Sequence, residues 1–321
     1  MVESGSSGIY TVAFHTDGMH FLGGTSNGIQ RWRLGDGEEV GKQTGMDLNA
    51  IAVSRDDRWI VCGTELGASV WDAELQQKVL EVDGSNSVYA VDVSPDSTKF
   101  ATGTRSRTSI WSITGERLVG PLRHDNTVTG IKFSPNGEHI ATTCRRGPIR
   151  VFSSHSGDEL ITIKTIIPSS PPITPLAWSN NGDRIFATSD DKKIKSFDVS
   201  TGSQLAESPA LSGGTIESIT LAANGRFVAT YAYRSISFLD ASTLTRIGPI
   251  IEDSEDIRSI ALSPDSSHLA TGQYKGKIAI RNLKNVLPDS YGPFHVSICP
   301  FTMLARPLTR YARHLRATIY E

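Results

Sequence analysis

The sequence lacks nearly everything that would mark a catalyst, a secreted protein or a membrane protein. Its 321 residues include three cysteines, Cys62, Cys144 and Cys299. An odd number without paired spacing supplies neither a disulfide framework nor a zinc knuckle. No apolar stretch nears the ~20 residues needed to cross a bilayer. The opening "MVESGSSGIY" has neither the basic end nor the apolar run of a secretory signal, and no Asn-x-Ser/Thr acceptor occurs. The expected setting is intracellular, cytoplasm or nucleus alike. An excess of one charge is also missing. Lys and Arg number 32 against 34 Asp and Glu, for a formal net charge of -2. That argues against a wholesale polyanion binder, so no specific nucleic-acid partner is expected and only a local patch could attract anions.

Catalytic constellations are absent too. "GQYKGKI" (272–278) has Gly and Gly-Lys, but the spacing is short for a phosphate loop and the setting is a strand-to-strand turn. No nucleophile elbow or His-Glu-x-x-His occurs. The eight histidines are scattered: His15 and His20 flank a turn, and His139 and His268 hold equivalent places before a second strand. Neither an enzyme nor a cofactor nor a metal is expected.

What the chain does contain is repetition. A short turn recurs as "HTDG" at His15, "SRDD" at Ser54, "SPDS" at Ser94, "SPNG" at Ser134, "SNNG" at Ser179, "AANG" at Ala222 and "SPDS" at Ser263. The spacings are 39, 40, 40, 45, 43 and 41. The dipeptide that ends each third strand, Trp32-Arg33, Trp71-Asp72, Trp111-Ser112, Phe152-Ser153, Phe197-Asp198, Leu239-Asp240 and Arg281-Asn282, recurs at spacings of 39, 40, 41, 45, 42 and 42. Two independent rulers give seven units, at about 9–47, 48–87, 88–127, 128–172, 173–215, 216–256 and 257–300. Before each turn apolar residues alternate, as in Val12 and Phe14 or Ile131 and Phe133, the pattern of a strand with one face buried. A small-residue strand follows ("FATGT", 100–104), then one ending in an aromatic ("TSIW", 108–111), then a more polar one ("KVLEV", 78–82). Four strands with polarity rising outward describe a propeller blade. The fold expected is all-β, a seven-bladed propeller of four-stranded antiparallel blades over residues 1–300.

These units resemble the WD-repeat (WD40) family, whose repeats end in Trp-Asp and carry "SPDG"-like turns; the likeness covers residues 9 to about 287. The resemblance implies a propeller that serves as a platform for other molecules. The family's blades often link a His before the first strand and an Asp before the third to the Trp. Here His124 and Asp191 fit those roles in different blades, so no blade holds the full set. Blades held mainly by apolar packing are therefore expected, with Trp71, Trp111 and Trp178 as anchors. The family usually closes its ring with an N-terminal strand. The eight residues "MVESGSSG" are short for that purpose, so blade seven is expected to supply its own outer strand from 294 to 299 ("PFHVSICP", 293–300), with Met1 to Glu3 at most extending an edge. Residues 301–321 read as a short basic amphipathic helix or tail starting near Pro307. It either docks on the propeller or frays; a membrane-surface or partner contact by 306–320 is the other reading.

In the family's geometry the turns between second and third strands share one face around the channel mouth. They carry Ser26-Asn27, Glu65-Leu66, Arg105-Ser106-Arg107, Arg145-Arg146, Lys192-Lys193, Tyr233-Arg234 and Tyr274-Lys275. The candidate partner-binding residues are thus Arg105, Arg107, Arg145, Arg146, Lys192, Lys193, Tyr233, Arg234, Tyr274 and Lys275. The loops "IIPSSPPITP" (166–175) and "EDSED" (252–256) enter on the same side, the second adding an acidic sector beside blade seven. Arginine forks suit carboxylate or phosphate and tyrosines give flat contact area. The function expected is a non-enzymatic scaffold binding an acidic or phosphorylated segment of another protein. The alternative is a ligand-sensing or regulatory module of a larger multidomain switch protein, which an upstream nucleotide-binding domain would favour.

Overall fold

A computed structural model describes residues 2–3, 8–41, 45–74, 76–84, 86–168 and 175–292. The expected strand 294–299 and the helix or tail 301–321 lie outside these residues. The chain winds into seven small antiparallel sheets in sequence order. Their inner strands are Ile9–Phe14, Leu48–Val53, Ala90–Val93, Val128–Phe133, Leu176–Trp178, Ser218–Leu221 and Ile257–Leu262. Each is followed outward by its second and third strands, and in blades two to six by a fourth.

The recurring turn follows from backbone demands. Its fourth residue is left-handed in every blade: Gly18, Asp57, Ser97, Gly137, Gly182, Gly225 and Ser266 have φ between 57° and 77°. Glycine adopts that conformation freely, and Asp or Ser can do so with local hydrogen bonds. The three exceptions also tie blades together. Asp57 accepts the amide protons of Thr16 and Asp17 in the preceding turn at 2.7 and 3.0 Å. Ser266 likewise accepts from the Ala223 amide at 2.7 Å.

The core is not one body but a ring. Seven hydrophobic clusters occupy the seven junctions between neighbouring blades. One joins Ala101 and Ile110 of blade three to Ile131 and Phe152 of blade four, and another joins Ala270 and Ile278 of blade seven to Ile9 and Trp32 of blade one. This is how a chain above the usual single-core size stays compact. The small residues of the second strands make the approach possible. A Cβ added to Gly103 would lie 2.7 Å from Val128 Cγ1, and one on Gly272 would lie 2.6 Å from Ile9 Cγ2.

In blade seven the start of the chain reaches the edge, as far as the described residues show. The blade's fourth position is held by Val2–Glu3, which pair antiparallel with Ile278 and Lys277, while Val2 packs into the cluster between blades seven and one. The N-terminal residues thus extend the edge of blade seven and pack across its junction with blade one. Among the described residues blade one has three strands, with a bridge from Trp32 to Glu39 beyond them. The anchoring tryptophans also differ from expectation. Trp111 and Trp178 are buried, but Trp71 is only half-buried; it faces blade one beside Ile29 and Val40, and no fourth strand covers it among the described residues. Trp32, fully buried, takes the anchoring role.

Apolar packing is also not the whole account of the blades. In blade three the Trp111 indole donates to Thr102 Oγ1 at 3.0 Å, which donates to Asp83 at 2.9 Å. In blade seven Arg281 stands where others have an indole. It pairs with buried Asp253 at 2.9 Å and reaches Thr271 at 3.0 Å, while Gln273 donates to Asp253 at 2.7 Å. Carboxylates in the loops entering these blades thus replace the histidine. His124 bonds Thr108 of the preceding blade at 3.1 Å, and Asp191 pairs with Lys195 at 2.7 Å, so neither plays the expected part.

Candidate functional site

Strand alternation fixes which loops share a face. Each chain leaving the outer strand of one blade emerges beside the turn between the second and third strands. Hydrogen bonds across this side confirm the neighbourhood: His124 N–H to Ser106 O at 2.8 Å, Arg145 N–H to Thr127 O at 3.0 Å, and Tyr274 N–H to Asp256 O at 2.9 Å. The turns are tight enough to need left-handed backbone at Arg146, Lys192 and Tyr233, with φ of 53°, 64° and 59°. A non-glycine residue there costs roughly 1–2 kcal/mol. Glycine fills such positions in blades one, two and seven, at Gly28, Gly67 and Gly276, so blades four to six keep a large side chain where a smaller one would be easier.

The ten candidate residues divide into two sectors. Arg105, Arg107, Arg146 and Lys192 are exposed, and none forms an ion pair with another described residue. Arg145 is half-buried, its Nε enclosed without an acceptor. The register adds a residue that sequence reasoning missed. Arg107 sits directly opposite Arg123 on the outer strand of blade three, both exposed. Like charges facing across a ladder are unfavourable unless something compensates them. A strand register projected onto the sequence would have exposed this pair.

The other cations already have partners. Lys193 lies 2.5 Å from Glu207, whose hydrogen bond raises the lysine above its ordinary range. Arg234 meets Asp256 at 2.8 Å and Lys275 meets Glu255 at 2.8 Å. The acidic segment 252–256 thus neutralises blades six and seven. In the same sector Tyr233 and Tyr274 stand exposed, with the guanidinium of Arg234 5.1 Å from the first ring and that of Arg258 4.7 Å from the second. Beneath them Tyr231 is buried and donates to Arg258 O at 2.5 Å. Burial raises the Glu217 carboxyl beside it, against the lowering effect of Arg258.

The channel between the blades is lined by small residues. Counting back from each recurring turn, the lining positions are Thr11 and Ala13, Ala50 and Ala52, Ala90 and Asp92, Lys132, Ala177, Thr220, Ser259 and Ala261. They leave about 420 Å³. The charged residues that line it are Arg55, Asp92 and Lys132; the last two lie 2.7 Å apart, and Asp92 also takes the Phe133 amide at 2.8 Å. Among the described residues no group of three His, Cys, Asp or Glu side chains could hold a metal ion.

Comparison with known proteins agrees with this architecture. The sequence model of the WD domain, G-beta repeat, matches residues 76–112, 146–198 and 245–282. That of the anaphase-promoting complex subunit 4 WD40 domain matches 101–169. The chain belongs to the WD-repeat β-propeller family. Among solved structures, the Cps50 (Swd1) β-propeller domain of Myceliophteria thermophila superposes with a TM-score of 0.73 at 18% identity, covering 88% of this chain and 99% of that one. At that identity the likeness concerns the fold alone. No curated protein matches in sequence. WD-repeat propellers are typically protein-interaction scaffolds and generally not enzymes. No helix among the described residues is long and apolar enough to cross a membrane.

Proposed function

We propose that this propeller is a scaffold whose channel-mouth face binds an acidic or phosphorylated segment of another protein through blades three to five. The observation that carries the reading is the opposed pair Arg107 and Arg123, with Arg105, Arg146 and Lys192 on neighbouring turns, all exposed and none neutralised by a described carboxylate. Guanidinium forks match carboxylate and phosphate oxygens two at a time. Lys193, Arg234 and Lys275, candidates on sequence grounds, play a lesser part because Glu207, Asp256 and Glu255 already hold them.

The test is binding of fluorescent hexaglutamate to the wild type and to Arg105→Glu/Arg146→Glu. Affinity should fall at least about ten-fold in the variant, equivalent to about 1.4 kcal/mol, and should weaken as salt rises. Stability should stay within about 0.5 kcal/mol, as for surface substitutions generally. Equal affinity in the two proteins would reject the reading.

A further inference from the structure

The channel-mouth face is divided, and the division specifies its partner. Blades three to five offer Arg105, Arg107, Arg123, Arg146 and Lys192 without a described counterion, although Glu207 holds Lys193, whereas the cations of blades six and seven are held by Asp256 and Glu255. A second acidic stretch would have to break those ion pairs to gain anything there. What blades six and seven do offer is aromatic surface: Tyr233 is 50% exposed and Tyr274 53%.

These rings are mounted rigidly. One segment, the loop entering blade seven, fastens both turns. Asp253 N–H bonds Arg234 O at 2.9 Å, Ile257 N–H bonds Tyr233 O at 2.9 Å, and Tyr274 N–H bonds Asp256 O at 2.9 Å. A guanidinium then lies against each ring. Flat rings fixed in this way lose little freedom when covered, which is why tyrosines dominate binding hot spots.

We infer that the partner segment has two unlike halves, an acidic one on blades three to five and an uncharged apolar one seated on Tyr233 and Tyr274. The inference rests on the anion-binding reading above and adds the chemistry of the second half. Neighbouring sheets pack about 10 Å apart, so from blade four to blade six is on the order of 20 Å. An extended chain covers that in about six residues at ~3.3 Å each. A single short linear segment therefore reaches both sectors.

Two probes separate the two claims: hexaglutamate, and hexaglutamate joined through Gly-Gly to Phe-Pro-Leu, made with the apolar part at either end. In the wild type one of the extended peptides should bind at least about ten-fold more tightly than hexaglutamate. Tyr233→Ala/Tyr274→Ala should abolish that gain and leave hexaglutamate binding unchanged. Arg105→Glu/Arg146→Glu should weaken both probes. If hexaglutamate binds through the arginines but neither extension helps, or the gain survives loss of both tyrosines, the two-part partner is wrong and the anion site stands. If hexaglutamate does not bind, or ignores the arginines, the underlying reading falls and this one with it.

Discussion

His124 makes the stability of this propeller depend on pH in a way that can be worked out from its surroundings. It lies 7% exposed in the loop before blade four, edge-on to Phe152 at 5.9 Å, with Nε2 3.1 Å from Thr108 Oγ1. Burial, and then the charge of Arg150, lower its pKa from 6.5 to about 4. The folded protein thus keeps the ring neutral while the unfolded chain takes up a proton below pH 6.5. The stability held by the neutral ring is complete above pH 6.5 and is lost as pH falls to about 4; below that both states are protonated and the loss stops. At about 1.4 kcal/mol per pH unit the interval amounts to about 3 kcal/mol, a large share of a typical folding free energy of about 5–15 kcal/mol.

Urea unfolding of the wild type and of His124→Gln, at steps from neutral pH down to about pH 4, measures it. Glutamine can still bond Thr108 but does not titrate. His15, also lowered by burial, adds a loss of the same sign. Glu217, raised by burial, acts oppositely, its effect growing as pH rises. Both are common to the two proteins, so the difference between their curves isolates His124. That difference should decline by about 3 kcal/mol across the interval. A flat difference would refute the account of a buried neutral ring.

Three further outcomes follow from packing and pairing. Asp253→Ala strands the Arg281 guanidinium beside Thr271 and should cost about 3–5 kcal/mol in denaturant unfolding, the range for breaking a buried ion pair. Gly272→Ala pushes a methyl group against Ile9 and Val12 at the junction of blades seven and one, and should cost about 1–3 kcal/mol by the same measurement. Arg146→Gly relieves the left-handed turn at φ 53° and should raise the unfolding free energy by up to about 1 kcal/mol while weakening hexaglutamate binding.

The blades were legible in the sequence because each turn has a local cause. The left-handed fourth residue and the serine that begins five of the seven turns act within a few positions. Ser94 Oγ, for example, accepts from Lys99 N–H at 2.9 Å and donates to Asp96 at 2.6 Å. The face carrying the candidate turns was legible through the resemblance to WD-repeat blades, whose geometry puts those turns on one side. What escaped were relations that cross blades or long stretches of chain. Asp83 and Thr102 are 19 residues apart, and Arg234 and Asp256 are 22 apart, so no short motif announces which cations are already neutralised. Val2–Glu3 is too short to show alternation, and only its partner strand reveals it.

That pairing also orders events in time. Val2 faces Ile278 across the ladder, so Val2 and Glu3 must wait until Lys277 and Ile278 have been translated before their neighbours exist. Until then the earlier blades can stack on one another as they emerge, while the apolar flank of blade one around Ile9 and Trp32 stays open to water. The most vulnerable surface during biosynthesis is therefore the seam, and a chaperone attending this chain on the ribosome would have most to do there.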